Sequence, residues 1–183
     1  NGYIGVWHLD ETSGIHYDSS SNDYDSSSVT VNAQGQTGTA KIEGADEFTI
    51  NHAVTVNDPG NCAALDLCGS NTPVTYSAWV YPRSRGQEGA QFGGVFSKGA
   101  TAGETVGYKS SFDNNEPGSQ IDGTRAGRNG GINCSSDIPM NTWTYLTYVY
   151  ASTQHTIYFN AVAKGYRTYS ISTGDGANNF KIG

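Results

Sequence analysis

The sequence predicts an all-β fold in which two antiparallel sheets pack face to face. Three observations carry this. Short strand-forming runs with period-2 faces recur along the chain, and no long helix-period run occurs. Glycine supplies 24 of the 183 residues, which suits short strands joined by many turns. The 3 Trp, 12 Tyr and 6 Phe supply bulk for packing, so the low hydrophobic share of 36% does not signal disorder. Each strand must bury one face, and two stacked sheets do that. The length suits one domain, residues 1–183, and no internal repeat or long linker divides it.

Taken in order, Tyr3 to Leu9 alternates well enough for a strand, and Asp10 to Asp25 is a long polar loop. Ser26 to Val31 reads as a short strand with Val29 and Val31 on one face. Gly35 to Lys41 is a turn region, and Ala45 to Ile50 reads as a strand. Asn57 to Asn71 holds Pro59, Gly60 and Gly69 and reads as a loop or short insertion. The cleanest strand follows, within Thr72 to Pro82. Val74, Tyr76, Ala78 and Val80 share one face, and Thr75, Ser77, Trp79 and Tyr81 share the other. Pro73 and Pro82 bracket it, at strand ends where proline is tolerated.

Arg83 to Gln91 is a polar loop, Gly93 to Gly99 a strand, and Tyr108 to Phe112 a strand pairing beside it. Asp113 to Gly131 is rich in glycine and asparagine and reads as a surface loop or weak hairpin; Ile132 to Ile138 then leads to a turn at Pro139. Asn141 to Tyr150 and His155 to Asn160 flank a short turn and read as a hairpin. Tyr166 to Ile171 and Phe180 to Gly183 complete the set. Trp7, Trp79 and Trp143 each sit in an apolar strand, where sheet packing is the expected role.

The formal net charge is −7 with only 10 Lys and Arg, and no basic stripe occurs, so a nucleic-acid partner is not expected. No apolar run approaches the roughly 18 residues of a membrane span, so no membrane insertion is expected. No signal peptide is visible and Asn1 opens the chain, which reads as a mature or excised segment. Cys62 and Cys68 lie six apart in a Gly/Asn/Pro-flanked stretch. A local disulfide suits an oxidising compartment, and two unpaired thiols remain the alternative. Cys134 is either a small buried apolar residue or the partner of a cysteine elsewhere. Asn133-Cys134-Ser135 fits the N-glycosylation triplet.

Several motifs in linked order resemble one family. Gly5-Val6-Trp7-His8-Leu9-Asp10-Glu11-Thr12-Ser13-Gly14, then Asp18-Ser19-Ser20-Ser21-Asn22, is similar to the opening of laminin-G-like, concanavalin A-type domains. Val74-Thr75-Tyr76-Ser77-Ala78-Trp79-Val80-Tyr81-Pro82, Val95-Phe96-Ser97-Lys98-Gly99, Trp143 to Tyr150 and Ile157 to Asn160 resemble later strands of the same family. Ala161 stands where the family has glycine after Asn160. The family's closing segment has no counterpart before Gly183. The resemblance implies a concanavalin A-like jelly-roll sandwich that binds sugars, surfaces or proteins and seldom does chemistry. A sheet lacking one strand would leave an edge open to a strand from elsewhere, including copies of this chain.

Asp18, Ser20, Asn22 and Asp23 place hard oxygen ligands at close spacing, a pattern calcium accepts; a solvated Asx/Ser turn uses the same residues. The resemblance adds the expectation of a structural calcium beside this loop. Tyr145 and Tyr158 fall on one strand phase and Tyr148 on the other. These three are the candidate sugar-stacking residues, with cross-strand aromatic pairing as the alternative. No catalytic residue is assigned. Glu43, Asp46 and Glu47 lack the spacing of a glycosidase acid strand, and the adjacent Asp10 and Glu11 point to opposite faces in a strand. The four histidines are scattered, and no G-x-S-x-G elbow or phosphate loop occurs. The expectation is a non-catalytic extracellular binding or adhesion domain that recognises a glycan or a cell-surface protein. The alternatives are a filament or surface-layer subunit joined by strand exchange and, third, a glycoside hydrolase.

Overall fold

The computed structural model describes residues 2–38, 40–49, 51–57, 60, 65, 69–70, 73–83, 93–98, 108–112, 120–122, 131–133, 138–151, 153–168, 172–173 and 179–183. Thirteen strands are formed among them: β1 (Ser26–Thr30), β2 (Ala53–Val56), β3 (Gly69–Ser70), β4 (Val74–Val80), β5 (Gly93–Lys98), β6 (Tyr108–Phe112), β7 (Gln120–Asp122), β8 (Gly131–Asn133), β9 (Thr144–Ala151), β10 (Gln154–Phe159), β11 (Val162–Thr168), β12 (Ser172–Thr173) and β13 (Phe180–Ile182). They make a five-stranded sheet in the order β1-β2-β13-β5-β6 and a four-stranded sheet in the order β11-β10-β9-β4. All pairings are antiparallel. Two short ribbons, β12-β3 and β7-β8, complete the set.

The sheets face each other across one apolar layer, as the alternating runs require. Val56 of β2, Val95 and Phe96 of β5 and Phe180 of β13 meet Leu146 and Tyr148 of β9 and Ile157 and Phe159 of β10. Tyr76 of β4 reaches across to Phe96, ring centroids 4.7 Å apart, and Trp7 stacks on Phe180 at 5.4 Å. Residues of this kind lose about 2–5 kcal/mol on truncation to alanine, so this layer is the main source of stability.

The longest predicted strands are found nearly as read, and three differences have local causes. Among the described residues, Tyr3 to Leu9 forms only one bridge, Trp7 to Asp18. Its backbone groups bond instead to side chains of the following loop, and Leu9 turns left-handed at φ 58°. Of the predicted strand from Ala45 to Ile50, the described residues 45–49 likewise make only the Glu47 to Ala33 bridge among the described residues, and the strand is the next run, β2. Third, β11 begins at Val162 rather than Tyr166, directly after a two-residue turn at Asn160 and Ala161. Both turn residues have positive φ, 48° and 66°, the geometry of a tight hairpin whose twist matches its strands.

Candidate functional site

The alternation of β4 and β9 sorts their side chains into two faces. Val74, Tyr76 and Ala78 turn toward the core, and Thr75, Ser77 and Trp79 are exposed on the other side. Register then sets the exposed residues of neighbouring strands in rows. Ser77 lies opposite Thr147, and Thr147 opposite Tyr158 of β10. Thr75 lies opposite Val149, Val149 opposite Thr156, and Thr156 opposite Tyr166 of β11. Trp79 lies opposite Tyr145. Strands are about 4.8 Å apart and successive rows about 7 Å apart, so the face is an array of aromatic planes with hydroxyls between them.

At the β4 edge of this face stands the Trp79–Tyr145 pair. The rings are 5.2 Å apart at 45°, and each residue keeps 37% of its surface exposed. The Tyr145 hydroxyl donates to Ser77 Oγ at 2.9 Å, which fixes the ring's tilt. Its backbone N–H donates to Asn160 Oδ1 at 2.8 Å, while the Asn160 N–H donates to the Tyr145 carbonyl at 2.9 Å. Lys41 Nζ stands 5.0 Å from the Trp79 ring centre. A fixed, half-exposed aromatic pair with hydroxyl, amide and ammonium groups around it is suited to stacking and hydrogen-bonding a polyhydroxylated ring.

The three tyrosines expected to bind ligand are therefore divided. Tyr145 and Tyr158 are on the outer face. Tyr148 is not: it faces the core with 2% exposure, and its hydroxyl sits 2.9 Å from His155 Nδ1. Burial holds His155 near a pKa of about 4, so the ring is neutral, and the pair is part of the packing. Trp79, for which sheet packing was the expected role, lies on the outer face against Tyr145, since the buried phase of β4 belongs to Tyr76 and its neighbours.

The loop after Trp7 is organised by Asp18. Its Oδ1 accepts the N–H groups of Val6 and Ser20, each at 2.8 Å, and its Oδ2 accepts the Ser20 hydroxyl at 2.7 Å and the Tyr24 N–H at 3.0 Å. Burial pushes the carboxyl up, but these bonds outweigh it and the net direction is down. Asn22 Nδ2 donates to the Ile4 carbonyl at 2.8 Å, and Asp23, exposed, sits at φ 58°. Asp18, Ser20, Asn22 and Asp23 thus share one loop, but the donor set does not fit a cation. Both Asp18 oxygens are surrounded by N–H and O–H hydrogens, which repel one. Among the described residues, no cluster of three or more His, Cys, Asp or Glu side chains is placed to hold a metal ion.

Sequence reasoning missed a buried polar cluster beside this loop. His16 is fully buried. Its Nδ1 bonds Glu11 Oε2 and its Nε2 lies 2.7 Å from Asp46 Oδ2. Glu11 Oε1 accepts the Tyr17 N–H at 2.9 Å, and Asp46 Oδ1 accepts the Gly35 N–H at 2.9 Å. Gly35 has φ 58°, and a Cβ there would stand 2.6 Å from the Glu11 carbonyl oxygen, so glycine is required. Burial pulls His16 toward its neutral form, but the bonds to Asp46 and Glu11 outweigh it and its pKa is raised. Two of the acids weighed for glycoside hydrolysis are therefore bonded to the His16 ring. A third, Glu47, pairs with Arg83 at 2.5 Å. Cys62, Cys68 and Cys134 lie outside the described residues.

A family model described as the concanavalin A-like lectin/glucanases superfamily matches residues 49–183. No curated protein matches the chain. One similar solved structure is domain 4 of AbnA, a GH43 extracellular arabinanase from Geobacillus stearothermophilus, in complex with arabinotriose. Identity is 16%, the TM-score is 0.51, and the match covers 94% of this chain and 68% of that one. At that identity the likeness bears on the fold alone, and the fold agrees with the two-sheet sandwich built above. The chain belongs to the concanavalin A-like lectin/glucanase superfamily.

Proposed function

We propose that this chain is a non-catalytic, extracellular glycan-binding domain whose ligand lies on the outer face of the four-stranded sheet. The observation that carries the reading is the Trp79–Tyr145 pair, half exposed and fixed by the Tyr145–Ser77 hydrogen bond. Tyr158 and Tyr166 extend the surface across β10 and β11, and Thr75, Thr147 and Thr156 supply hydroxyls between the rings. Stacking on such rings gives affinity with little ordering cost, because the platform is already built. The arabinotriose bound by the similar arabinanase domain supports a neutral oligosaccharide as the ligand class. Its description as an extracellular enzyme supports the location. Among the described residues no helix is long and apolar enough to cross a membrane.

The non-catalytic reading rests on the acids. Glu11 and Asp46 are turned to His16 and Glu47 to Arg83, so none of these faces the aromatic array. The test is a glycan screen on immobilised 1–183, followed by the same screen with Trp79→Ala and Tyr145→Ala. Binding to a glycan subset that both variants lose supports the reading. Binding that both variants keep places the ligand elsewhere and overturns it.

A further inference from the structure

The exposed phase of β4 continues past the end of the strand. Exposure alternates on through Tyr81 and Arg83, and the Asn141 N–H donates to the Pro82 carbonyl at 2.8 Å. The chain leaving β4 therefore stays beside the chain entering β9. Residues two apart share a face, so Tyr81 and Trp143 make one more row on the side of Trp79 and Tyr145. Their ring centroids are 5.5 Å apart at 56°; Tyr81 is 40% exposed and Trp143 partly so. Two aromatic pairs thus follow one another along the strands, about 7 Å apart.

Across the strands the aromatics do not continue. The residue beside Tyr145 on the β10 side is Asn160, which exchanges two hydrogen bonds with it. The next row runs Ser77, Thr147, Tyr158, Ala163, and the row after it Thr75, Val149, Thr156, Tyr166. In register, neither Tyr158 nor Tyr166 has an aromatic neighbour. The contiguous stacking surface therefore points along β4 and β9.

Hydrogen-bonding groups frame this block of four rings. Lys41 Nζ stands on its β4 side, and Asn160, whose Oδ1 is taken by the Tyr145 N–H, presents its Nδ2 donors on the other. Arg83, paired with Glu47, closes the end beyond Tyr81, and the Ser77 and Thr147 hydroxyls lie at the opposite end. Ring planes below and N–H or O–H groups at the margins suit the C–H faces and hydroxyl oxygens of sugars. Four part-exposed rings fall well short of the roughly 800 Å² per partner that a protein interface buries.

We infer that the glycan is held as a chain laid along β4 and β9, with two successive stacking positions. One sugar lies on Trp79–Tyr145, its neighbour on Tyr81–Trp143, and the chain passes at one end over Ser77 and Thr147. The ligand is then a neutral chain of two or more sugars gripped along its length, not a single terminal sugar. The inference rests on the glycan-binding reading above. It adds the direction of the chain, its minimum length and two stacking residues, Tyr81 and Trp143.

The test is calorimetric titration of the intact 183-residue chain with cello-, xylo- and arabino-oligosaccharides, each from monosaccharide to pentasaccharide. Wild type, Tyr81→Ala, Trp143→Ala, Tyr158→Ala and Trp79→Ala are compared, with thermal midpoints measured on each. In at least one series, wild-type affinity should rise about fivefold or more from monosaccharide to trisaccharide. Tyr81→Ala and Trp143→Ala should lose that rise. Tyr81 is the more exposed, so Tyr81→Ala decides the matter where Trp143→Ala unfolds. Affinity that does not rise with length, or a rise kept in folded Tyr81→Ala, overturns the inference. A rise lost in Tyr158→Ala but kept in Tyr81→Ala also overturns it, because the chain then runs across the strands. In these cases loss of binding in Trp79→Ala leaves the glycan-binding face standing. No binding in any series overturns the assignment to a neutral chain. Binding unchanged in Trp79→Ala overturns the reading of the face, and the inference with it.

Discussion

His16 Nε2 lies 2.7 Å from Asp46 Oδ2, and neither side chain is exposed. With Glu11 on the other ring nitrogen, the pair joins the loop after Trp7 to the segment leading into β2. Replacing His16 by alanine leaves two carboxylates facing an unfilled site. The expected cost is about 3–5 kcal/mol, or roughly 10 °C in the unfolding midpoint. Thermal denaturation followed by circular dichroism checks this.

The same cluster sets a pH dependence with two limbs. His16 has a raised pKa, so its contribution is fully present below the ordinary value of 6.5 and is lost as pH rises through the higher folded value. Glu11 works the other way. Burial pushes it up, but the Tyr17 N–H and His16 outweigh burial and lower it. Its contribution is present above the ordinary value of 4.5 and is lost as pH falls through the lower folded value. Midpoints measured from pH 3 to 9 should therefore fall on both sides of a central plateau. His16→Gln should be less stable throughout and lack the alkaline limb.

Asp18 accepts four hydrogen bonds, three of them from backbone N–H groups. Asp18→Ala removes the acceptor for all of them, with an expected loss of about 3 kcal/mol. Because hydrogen bonds already occupy both Asp18 oxygens, chelation of calcium should leave the wild-type midpoint where it is. A midpoint that falls with chelator and returns with added calcium would contradict this account of the loop.

Ala161 holds φ at 66° in the turn between β10 and β11, a conformation that costs an L-residue about 1–2 kcal/mol. Ala161→Gly should therefore stabilise the chain by about 1 kcal/mol, less the added freedom of glycine in the unfolded state. Chemical denaturation, with the midpoint rising at unchanged slope, is the measurement. Asn160 tolerates its own positive φ and also holds Tyr145, so Asn160→Gly should destabilise instead.

What the sequence disclosed and what it concealed follow from the range of the interactions. The period-2 run from Val74 to Val80 and the hairpin of β9 and β10 were legible because alternation is local. Tyr145 and Tyr158 were correctly grouped on one strand phase for the same reason. Which phase faced water was not legible, since that depends on where the other sheet lies; Tyr148 was misread on this account. The His16 cluster left no local mark. Glu11 and His16 are five residues apart across Gly14, and Asp46 is thirty residues further on. Tyr3 to Leu9 read as a strand because its side chains alternate, although side chains of the next loop take its backbone bonds.

The three tyrosines give a discriminating set. Tyr148→Phe should lose about 1 kcal/mol of stability with its hydroxyl's contact to His155 and leave ligand affinity unchanged. Tyr145→Ala should reduce affinity by about fivefold or more, the equivalent of roughly 1 kcal/mol of stacking, with little change in stability. Paired denaturation and binding curves on the two variants check this.

The most direct test of the central claim is calorimetric titration of wild type and Trp79→Ala with the oligosaccharide that the glycan screen selects. Saturable binding by the wild type that disappears in Trp79→Ala, at nearly equal thermal midpoints, is the expected result. Binding of equal affinity by both proteins would contradict the claim that the outer face of the four-stranded sheet is the site.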